Sequence, residues 1–221
     1  PHTPYRTPQE YGEPFKDVPL PDNWISEEIF ERHLRHGGPH GAKELSMYDD
    51  SVNPKQPRAF GSLNSLAEVK QFIDNYDTGI KYMDEKIGRL LDILKSNGVY
   101  EDTAIIVTSD HGENMGELGI YAEHATADYP TCRIPMIIKW LGGKKNVIAS
   151  GFHANVDLYP TVSELLGLPA PKNIDGISYA RTILNGECAG RSHVILTQAA
   201  HVIQRAARWD DYIYIRTYHC G

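Results

Sequence analysis

From Val69 onward, Phe72, Ile73, Tyr76, Ile80, Met83, Ile87, Leu90, Leu91 and Leu94 follow one another mostly at intervals of three and four. This spacing puts them on one face of an α-helix of about five turns or more. Lys81, Asp84, Glu85, Lys86 and Asp92 occupy much of the remaining surface, and Asn97-Gly98 supplies a stop because Gly adopts the backbone that closes a helix. A single apolar stripe of this length needs a surface to cover, and the expected surface is a sheet. The next apolar run, Thr103-Ala-Ile-Ile-Val-Thr-Ser109, reads as a strand with a near-continuous apolar centre, the pattern of a parallel strand covered on both faces.

The other elements fit the same plan. A short helix is expected over Glu27–Leu34, a strand over Met136–Lys139, and a helix over Asn155–Leu166 with Pro160 in its first turns. Val194–Thr197, Val202–Arg208 and Tyr212–Thr217 read as strands, the last two joined by a turn at Trp209-Asp-Asp211. The order implies an α/β fold with a small carboxy-terminal antiparallel sheet. Pro1, Pro4, Pro8, Pro14, Pro19 and Pro21 make 1–23 irregular. The stretch 35–60 has no sustained period, and a loop that long is expected to line a site or form a lid.

Acidic residues exceed Lys plus Arg by 29 to 22, a formal charge of -7, which gives no support to a nucleic-acid partner. No apolar run reaches the length of a membrane-spanning helix. Cys132, Cys188 and Cys220 are too scattered for a disulfide framework or a CxxC metal site and read as incidental thiols.

Chemistry concentrates in Ser109-Asp-His-Gly-Glu-Asn-Met-Gly-Glu117, directly after the buried strand, where open α/β sheets often carry their sites. Asp110 offers a carboxylate and His111 an imidazole nitrogen, both metal donors. Neighbours on a strand point to opposite faces, but a turn at Gly112 lets both converge. Two readings stand for the pair, a metal site and a hydrogen-bonded turn at a strand end. Glu113 and Glu117 fit a solvated face. His124 is either a surface histidine or, when protonated, a group that binds an anion or donates a proton to a leaving oxygen. Glu123 and Asp128 are placed to favour its imidazolium. Arg133 suits a substrate anion or support of the acidic loop. Lys139 fits an edge or surface position, and Lys144 stands as an anion contact. His2, in Pro1-His-Thr-Pro-Tyr5, sits on restricted backbone that can present it to a ligand, though a histidine at this position is ordinarily only exposed.

In this order the segments resemble the sulfatase family of the alkaline-phosphatase superfamily. The likeness runs through Pro1-His-Thr-Pro-Tyr5, Met83-Asp-Glu-Lys-Ile-Gly-Arg-Leu-Leu91, Ser109-Asp-His-Gly-Glu113, His124 and Cys132-Arg-Ile-Pro-Met-Ile-Ile138. It continues through Val156-Asp-Leu-Tyr-Pro-Thr161, Gly167-Leu-Pro169 and Asp175-Gly-Ile-Ser178 to the late strands. The resemblance implies a partial alkaline-phosphatase/sulfatase-like fold, with 1–190 the carboxy-terminal portion of the catalytic domain and 191–221 the start of a smaller antiparallel subdomain. It also implies that Asp110 and His111 coordinate a divalent metal. Many family members have Asp-Asn at these positions, so calcium stands first and the His111 nitrogen keeps manganese and zinc as alternatives. His2 matches a histidine that approaches the sulfate group. His124 falls near the position of a basic sulfate-binding residue, commonly Lys, and Arg133 matches a structural residue.

The resemblance further calls for an upstream metal-binding Asp pair and a Cys- or Ser-centred motif converted to formylglycine, and no cysteine here has that context. The expectation is therefore part of a sulfuric ester hydrolase that, when complete, acts on a sulfated small molecule or glycan through attack of hydrated formylglycine on sulfur. The chain alone is expected to be inactive. A phosphodiesterase or phosphonate monoester hydrolase, and a non-catalytic anion-binding fragment, are the alternatives.

Overall fold

A computed structural model describes residues 2–22, 24–38, 40–45, 60–169, 172–187, 190–199 and 202–220, with His219 and Cys220 described by backbone alone. Pro1, Cys188, the 46–59 part of the long loop and the side chain of Cys220 lie outside the described residues. The elements in chain order are α1 (Glu27–His33), α2 (Leu66–Ser96), β1 (Ile105–Thr108), β2 (Asn114–Met115), β3 (Tyr121–Glu123), α3 (Tyr129–Cys132), β4 (Met136–Lys139), α4 (Leu158–Leu165), α5 (Ala180–Asn185), β5 (His193–Gln198), β6 (Val202–Trp209) and β7 (Tyr212–Cys220). They fall into two compact units, one of 1–97 with 113–124 and the other of 98–112 with 125–221.

In the first unit, α1 starts where the Ser26 hydroxyl accepts from the Ile29 amide at 3.3 Å, and it buries Phe30. Ser65 caps α2 by accepting from the Glu68 amide at 3.2 Å, and Glu68 accepts in return from the Asn64 amide at 2.6 Å. These contacts occupy amides that a helix start otherwise leaves without partners. Val69 and Phe72 of α2 are buried with Tyr5, Phe30, Leu63, Met115 and Tyr121. Burying each of these two α2 side chains is worth about 1.5–3 kcal/mol.

The expected stripe is only half realised. Its amino-terminal half packs on loops and on the β2–β3 ribbon, whereas Ile80, Met83 and Leu90 are exposed, Leu90 at 61%, as is Ile93 outside the stripe. The helix does not cover a broad sheet within its unit. The reason is local: among the described residues β2 and β3 pair only with each other, as a two-stranded antiparallel ribbon.

In the second unit β1 pairs antiparallel with β4, Ile105 opposite Lys139 and Thr108 opposite Met136, and Ile105, Ile106 and Val107 are half-buried. The parallel, doubly covered strand read from the sequence is corrected here. An apolar run reports that a strand seeks burial and says nothing about the direction of its partner. Lys139, expected at an edge or the surface, donates to the carbonyls of Tyr100 (2.8 Å), Thr103 (3.1 Å) and Glu101 (3.2 Å), and so ties the segment before β1 to β4.

A short 3-10 turn, Asn155–Asp157, leads into α4, and Pro160 sits in the first turn, where its missing N–H costs no helical bond. Asp157 is fully buried and accepts from the amides of Ala154 (2.8 Å) and Ile177 (2.8 Å) and from the Arg191 guanidinium. β5, β6 and β7 form an antiparallel three-stranded sheet, with Val194 opposite Arg208 and Arg208 opposite Ile213. The β6–β7 turn passes through Asp210 at φ 44°, and the rings of Trp209 and Tyr212 stack across it at 6.0 Å. The elements read from the sequence and the small antiparallel sheet are present, while β2, β3, α3 and α5 are elements the sequence reading did not include.

Candidate active site

β1 ends at Thr108, and the next residues turn sharply. The Ser109 hydroxyl donates to the His111 carbonyl at 2.6 Å, and the His111 amide donates to Asp110 Oδ1 at 3.0 Å. Gly112 then donates from its amide to the Thr131 carbonyl at 2.7 Å. This approach leaves no room for a side chain, since a Cβ on Gly112 would stand 1.9 Å from the Pro130 carbonyl oxygen. The glycine is required by contact with the backbone of α3. We expect Gly112→Ala to force that backbone away and cost about 1–3 kcal/mol, the range of overpacking. A thermal melt unchanged from the parent would contradict this.

The turn brings the two metal candidates together. Asp110 Oδ2 lies 3.7 Å from His111 Nε2. His111 Nδ1 is 2.8 Å from the Gly112 carbonyl oxygen, which only accepts, so Nδ1 is the donor in this contact and Nε2 is the ring nitrogen on the Asp110 side. Desolvation works upward on the Asp110 carboxyl. The amides of Asp110 and His111, the nearby imidazole and the Ser109 hydroxyl outweigh it and hold the carboxyl below the ordinary aspartate pKa. The Asp110 side chain is 85% exposed. Its carbonyl accepts from Asn155 Nδ2 at 3.2 Å, which links this turn to the start of α4. Two donors at this separation fit one cation, whose bonds to oxygen and nitrogen run about 2.0–2.6 Å. Among the described residues no group of three or more His, Cys, Asp or Glu side chains is arranged to hold a metal ion, so this pair is a partial donor set.

In the first unit the ribbon register decides the geometry. Asn114 pairs with Glu123 across β2 and β3, and Glu113 and His124 are therefore the next residues across the ladder. His124 Nδ1 lies 3.3 Å from Glu113 Oε1, and the His2 and His124 rings meet edge to face at 6.3 Å. Glu123 accepts from the His124 amide at 2.9 Å with one oxygen and contacts His40 Nδ1 at 2.6 Å with the other. The structure thus brings the two substrate candidates, His2 and His124, together, and sets two carboxylates beside His124. Glu113, read as part of a solvated face, has a side chain only 5% exposed. Burial pushes the Tyr5 phenol far up, and the charge of Glu113 acts in the same direction.

Sequence reasoning missed the Glu113–His124 contact, the His40–Glu123 pair and the Asp157–Arg191 pair. A two-residue strand carries no periodicity from which its register can be read. Asp128 caps α3 by accepting from the Thr131 amide at 2.9 Å and also accepts from the Thr126 hydroxyl. Arg133 is exposed and lies 5.2 Å from the Tyr129 ring centre. Cys132 is half-buried, and burial, reinforced by Asp128, pushes its thiol up to about 11, so it stays protonated and unreactive near neutral pH.

The family model that matches is Sulfatase, over residues 1–168. The chain belongs to the sulfatase family. A sulfatase from Formosa agariphila is 29% identical over 163 residues, 74% of this chain and 31% of the relative. A solved structure of a protein in complex with its substrate D-glucosamine-2-N,6-O-disulfate is 26% identical at a TM-score of 0.64, covering 72% of this chain and 35% of that one. The phosphonate monoester hydrolase of Silicibacter pomeroyi, 20% identical, shares the fold at a TM-score of 0.66 over 99% of this chain and 48% of its own. This sulfatase-family chain therefore has the mixed α/β fold of the superfamily with a small carboxy-terminal antiparallel sheet, and it spans less than half the length of these relatives. Among the described residues no helix is long and apolar enough to cross a membrane.

Proposed function

We propose that the chain supplies part of the active site of a metal-dependent sulfatase that hydrolyses a sulfate ester to an alcohol and inorganic sulfate. In this reading 1–190 is the carboxy-terminal portion of the catalytic domain and 191–221 begins a smaller subdomain. The observation that carries it is the turn after β1, which sets His111 Nε2 3.7 Å from Asp110 Oδ2 while His111 Nδ1 donates to the Gly112 carbonyl. In a sulfatase-family chain, this pair is the natural partial donor set for a divalent metal, calcium first, with manganese and zinc as alternatives. When bound, the metal would neutralise charge on the sulfate oxygens. Asp110 and His111 would hold it, together with donors outside the described residues. Formylglycine, expected in a segment outside this chain, would supply the nucleophile.

The remaining work falls to the histidines. His2 and His124 have rings in contact and would meet the sulfate group, with His124 stabilising or protonating the ester oxygen as charge develops on it. The substrate class proposed is a sulfated small molecule or glycan, in keeping with the disulfated glucosamine bound by the 26% identical neighbour.

The test uses the complete protein, assayed on aryl sulfates and on phosphate diesters. We expect sulfate turnover to dominate. His124→Ala should lower kcat by about 10²–10³-fold, the loss seen when one stabilising donor is removed, with metal content unchanged. Phosphate-diester turnover larger by orders of magnitude would replace the sulfatase reading with a phosphodiesterase. An unaltered kcat in His124→Ala would remove His124 from the site.

A further inference from the structure

We infer that the outer face of the β5–β6–β7 sheet is a docking surface for a sulfated glycan, with aromatic rings stacking on sugar rings and Arg205 and Arg216 holding sulfate groups. The choice of a sulfated glycan over other polyanions rests on the substrate class proposed for the active site; the surface itself is read from this sheet alone. Strand register separates the two faces. Val194, Arg208 and Ile213 share one row, and Leu196, Ala206 and Ile215 share another on the same face. Val194 and Ala206 are buried, Gln204 accepts from the Ala127 amide at 2.8 Å, and the Arg208 guanidinium lies over the Tyr129 and Phe152 rings. This face therefore packs inward within the second unit.

The opposite face combines exposed rings with positive charge. Trp209 stands opposite Tyr212, Ala207 opposite Tyr214, and Arg205 opposite Arg216. Tyr212 is 66% and Tyr214 61% exposed, and Tyr218, at 52%, has the Arg216 guanidinium 4.9 Å from its ring centre. Like charges directly opposite each other across two strands destabilise a sheet, so the arginine pair works against the fold that carries it. No Asp or Glu on the sheet relieves it, because β5, β6 and β7 contain none, in a chain whose formal charge is -7. Asp210 and Asp211 lie past Trp209, at the other end of β6 from Arg205 and about 13 Å or more along the strand.

An anion that bridges both guanidinium groups turns this repulsion into attraction. A covering segment of apolar side chains would instead bury both charges with no counter-charge on the sheet, which is strongly unfavourable. A bare anion would leave the rings unused, whereas exposed aromatic rings offer flat apolar area to a partner. The carbon faces of a sugar ring suit that area, and its sulfate groups suit the arginines. The aromatic pair at Trp209 and the cationic pair at Arg205 are about 13 Å apart along β6, which calls for an oligosaccharide. Single-stranded nucleic acid offers the same two chemistries, but the acidic balance of the chain disfavours it.

The probe is a fully sulfated heparin hexasaccharide, titrated calorimetrically into this chain and into the complete protein. Affinity should fall as sodium chloride is raised. The double variant Arg205→Gln/Arg216→Gln should bind about 10-fold or more weakly, and Tyr214→Ala about 3–10-fold more weakly. The thermal melt of the double variant should be unchanged or raised, because the like-charge pair is gone. No binding by the parent overturns the inference. Parent affinity in the double variant places the hexasaccharide elsewhere and overturns it too.

Three further outcomes decide the details. Parent affinity in Tyr214→Ala reduces the recognition to charge alone and defeats the glycan reading, as does tighter binding of a single-stranded RNA oligonucleotide of similar charge. Variant effects seen in this chain but absent from the complete protein mean that another segment covers the face, which also defeats it. Absence of sulfate-ester turnover in the complete protein would end the proposed function, while hexasaccharide binding that Arg205→Gln/Arg216→Gln and Tyr214→Ala weaken would still uphold this surface.

Discussion

Replacing Asp157 with Ala should destabilise the second unit by about 3–5 kcal/mol, the cost of breaking a buried ion pair from one side. Asp157 has no exposed surface, and its carboxylate takes hydrogen bonds from Ala154 N, Ile177 N and the Arg191 guanidinium. Its carbonyl accepts from the Thr161 hydroxyl at 2.6 Å, and that hydroxyl accepts from the Tyr179 amide at 3.0 Å. One residue thus ties the start of α4 to the segment before α5 and to the approach to β5. Removing the carboxylate leaves two amides without this acceptor and takes the counter-charge from Arg191, which keeps the Asp175 carbonyl at 3.2 Å, and an unpaired buried donor costs more than a hydrogen bond contributes.

The same residue sets a pH dependence. Desolvation works upward on the Asp157 carboxyl, but Arg191 and the two amides outweigh it, and the folded-state pKa is depressed. A depressed carboxyl stabilises the fold fully above the unfolded value near 4, and this contribution is lost as pH falls from there through the folded value. Denaturant unfolding of the parent and of Asp157→Asn between neutral and strongly acidic pH checks it. The difference between the two should be largest near neutrality and shrink below about pH 4. A constant difference across that range would show that Asp157 does not titrate with folding.

The second large effect concerns turnover. On the proposed function, the isolated chain should hydrolyse no sulfate ester, and the complete, matured protein should do so in a metal-dependent way. Removing either donor by Asp110→Ala or His111→Ala in the complete protein should lower kcat/KM by about 10³-fold or more, since a Lewis acid contributes several kcal/mol at a charged transition state. Metal content measured beside the kinetics identifies the cause. Loss of both together supports the donor assignment, whereas full activity with full metal content in Asp110→Ala removes that residue from the site. Robust turnover by the isolated chain would end the proposal that an outside segment supplies the nucleophile. Metal binding by the isolated chain is compatible with it, because binding needs fewer aligned groups than catalysis does.

The exposed apolar residues bear on the same question. Ile80, Met83, Leu90 and Ile93 on α2, and Ile137 on β4, are exposed in a chain that spans less than half the length of the relatives it matches. Half of the α2 stripe is buried within its own unit, and the sequence alone does not distinguish that half from the other. Both halves carry the same period.

Local order was legible in the chain itself. The helix stop at Asn97-Gly98, Pro160 in the first turn of α4, and the turn between β6 and β7 all follow from short-range backbone chemistry, and each is found where the residues put it. The convergence of Asp110 and His111 was also legible, because adjacent residues need only one turn and Gly112 permits it. The partner of β1 was not, since an apolar run does not encode the direction of its neighbour. Nor were Glu113 beside His124 or Arg191 on Asp157, separated by 11 and 34 residues. Such pairs depend on ladder register and on which loops are buried together, and both are fixed by the packing of many residues at once. The sequence by itself determined the long helix α2, the helix α4, the turns and the proximity of Asp110 and His111, because those depend on φ/ψ preference and periodicity within a few residues. Only the tertiary structure decided which carboxylate holds which imidazole or guanidinium, because a charge finds its partner through burial, and burial is a property of the folded unit.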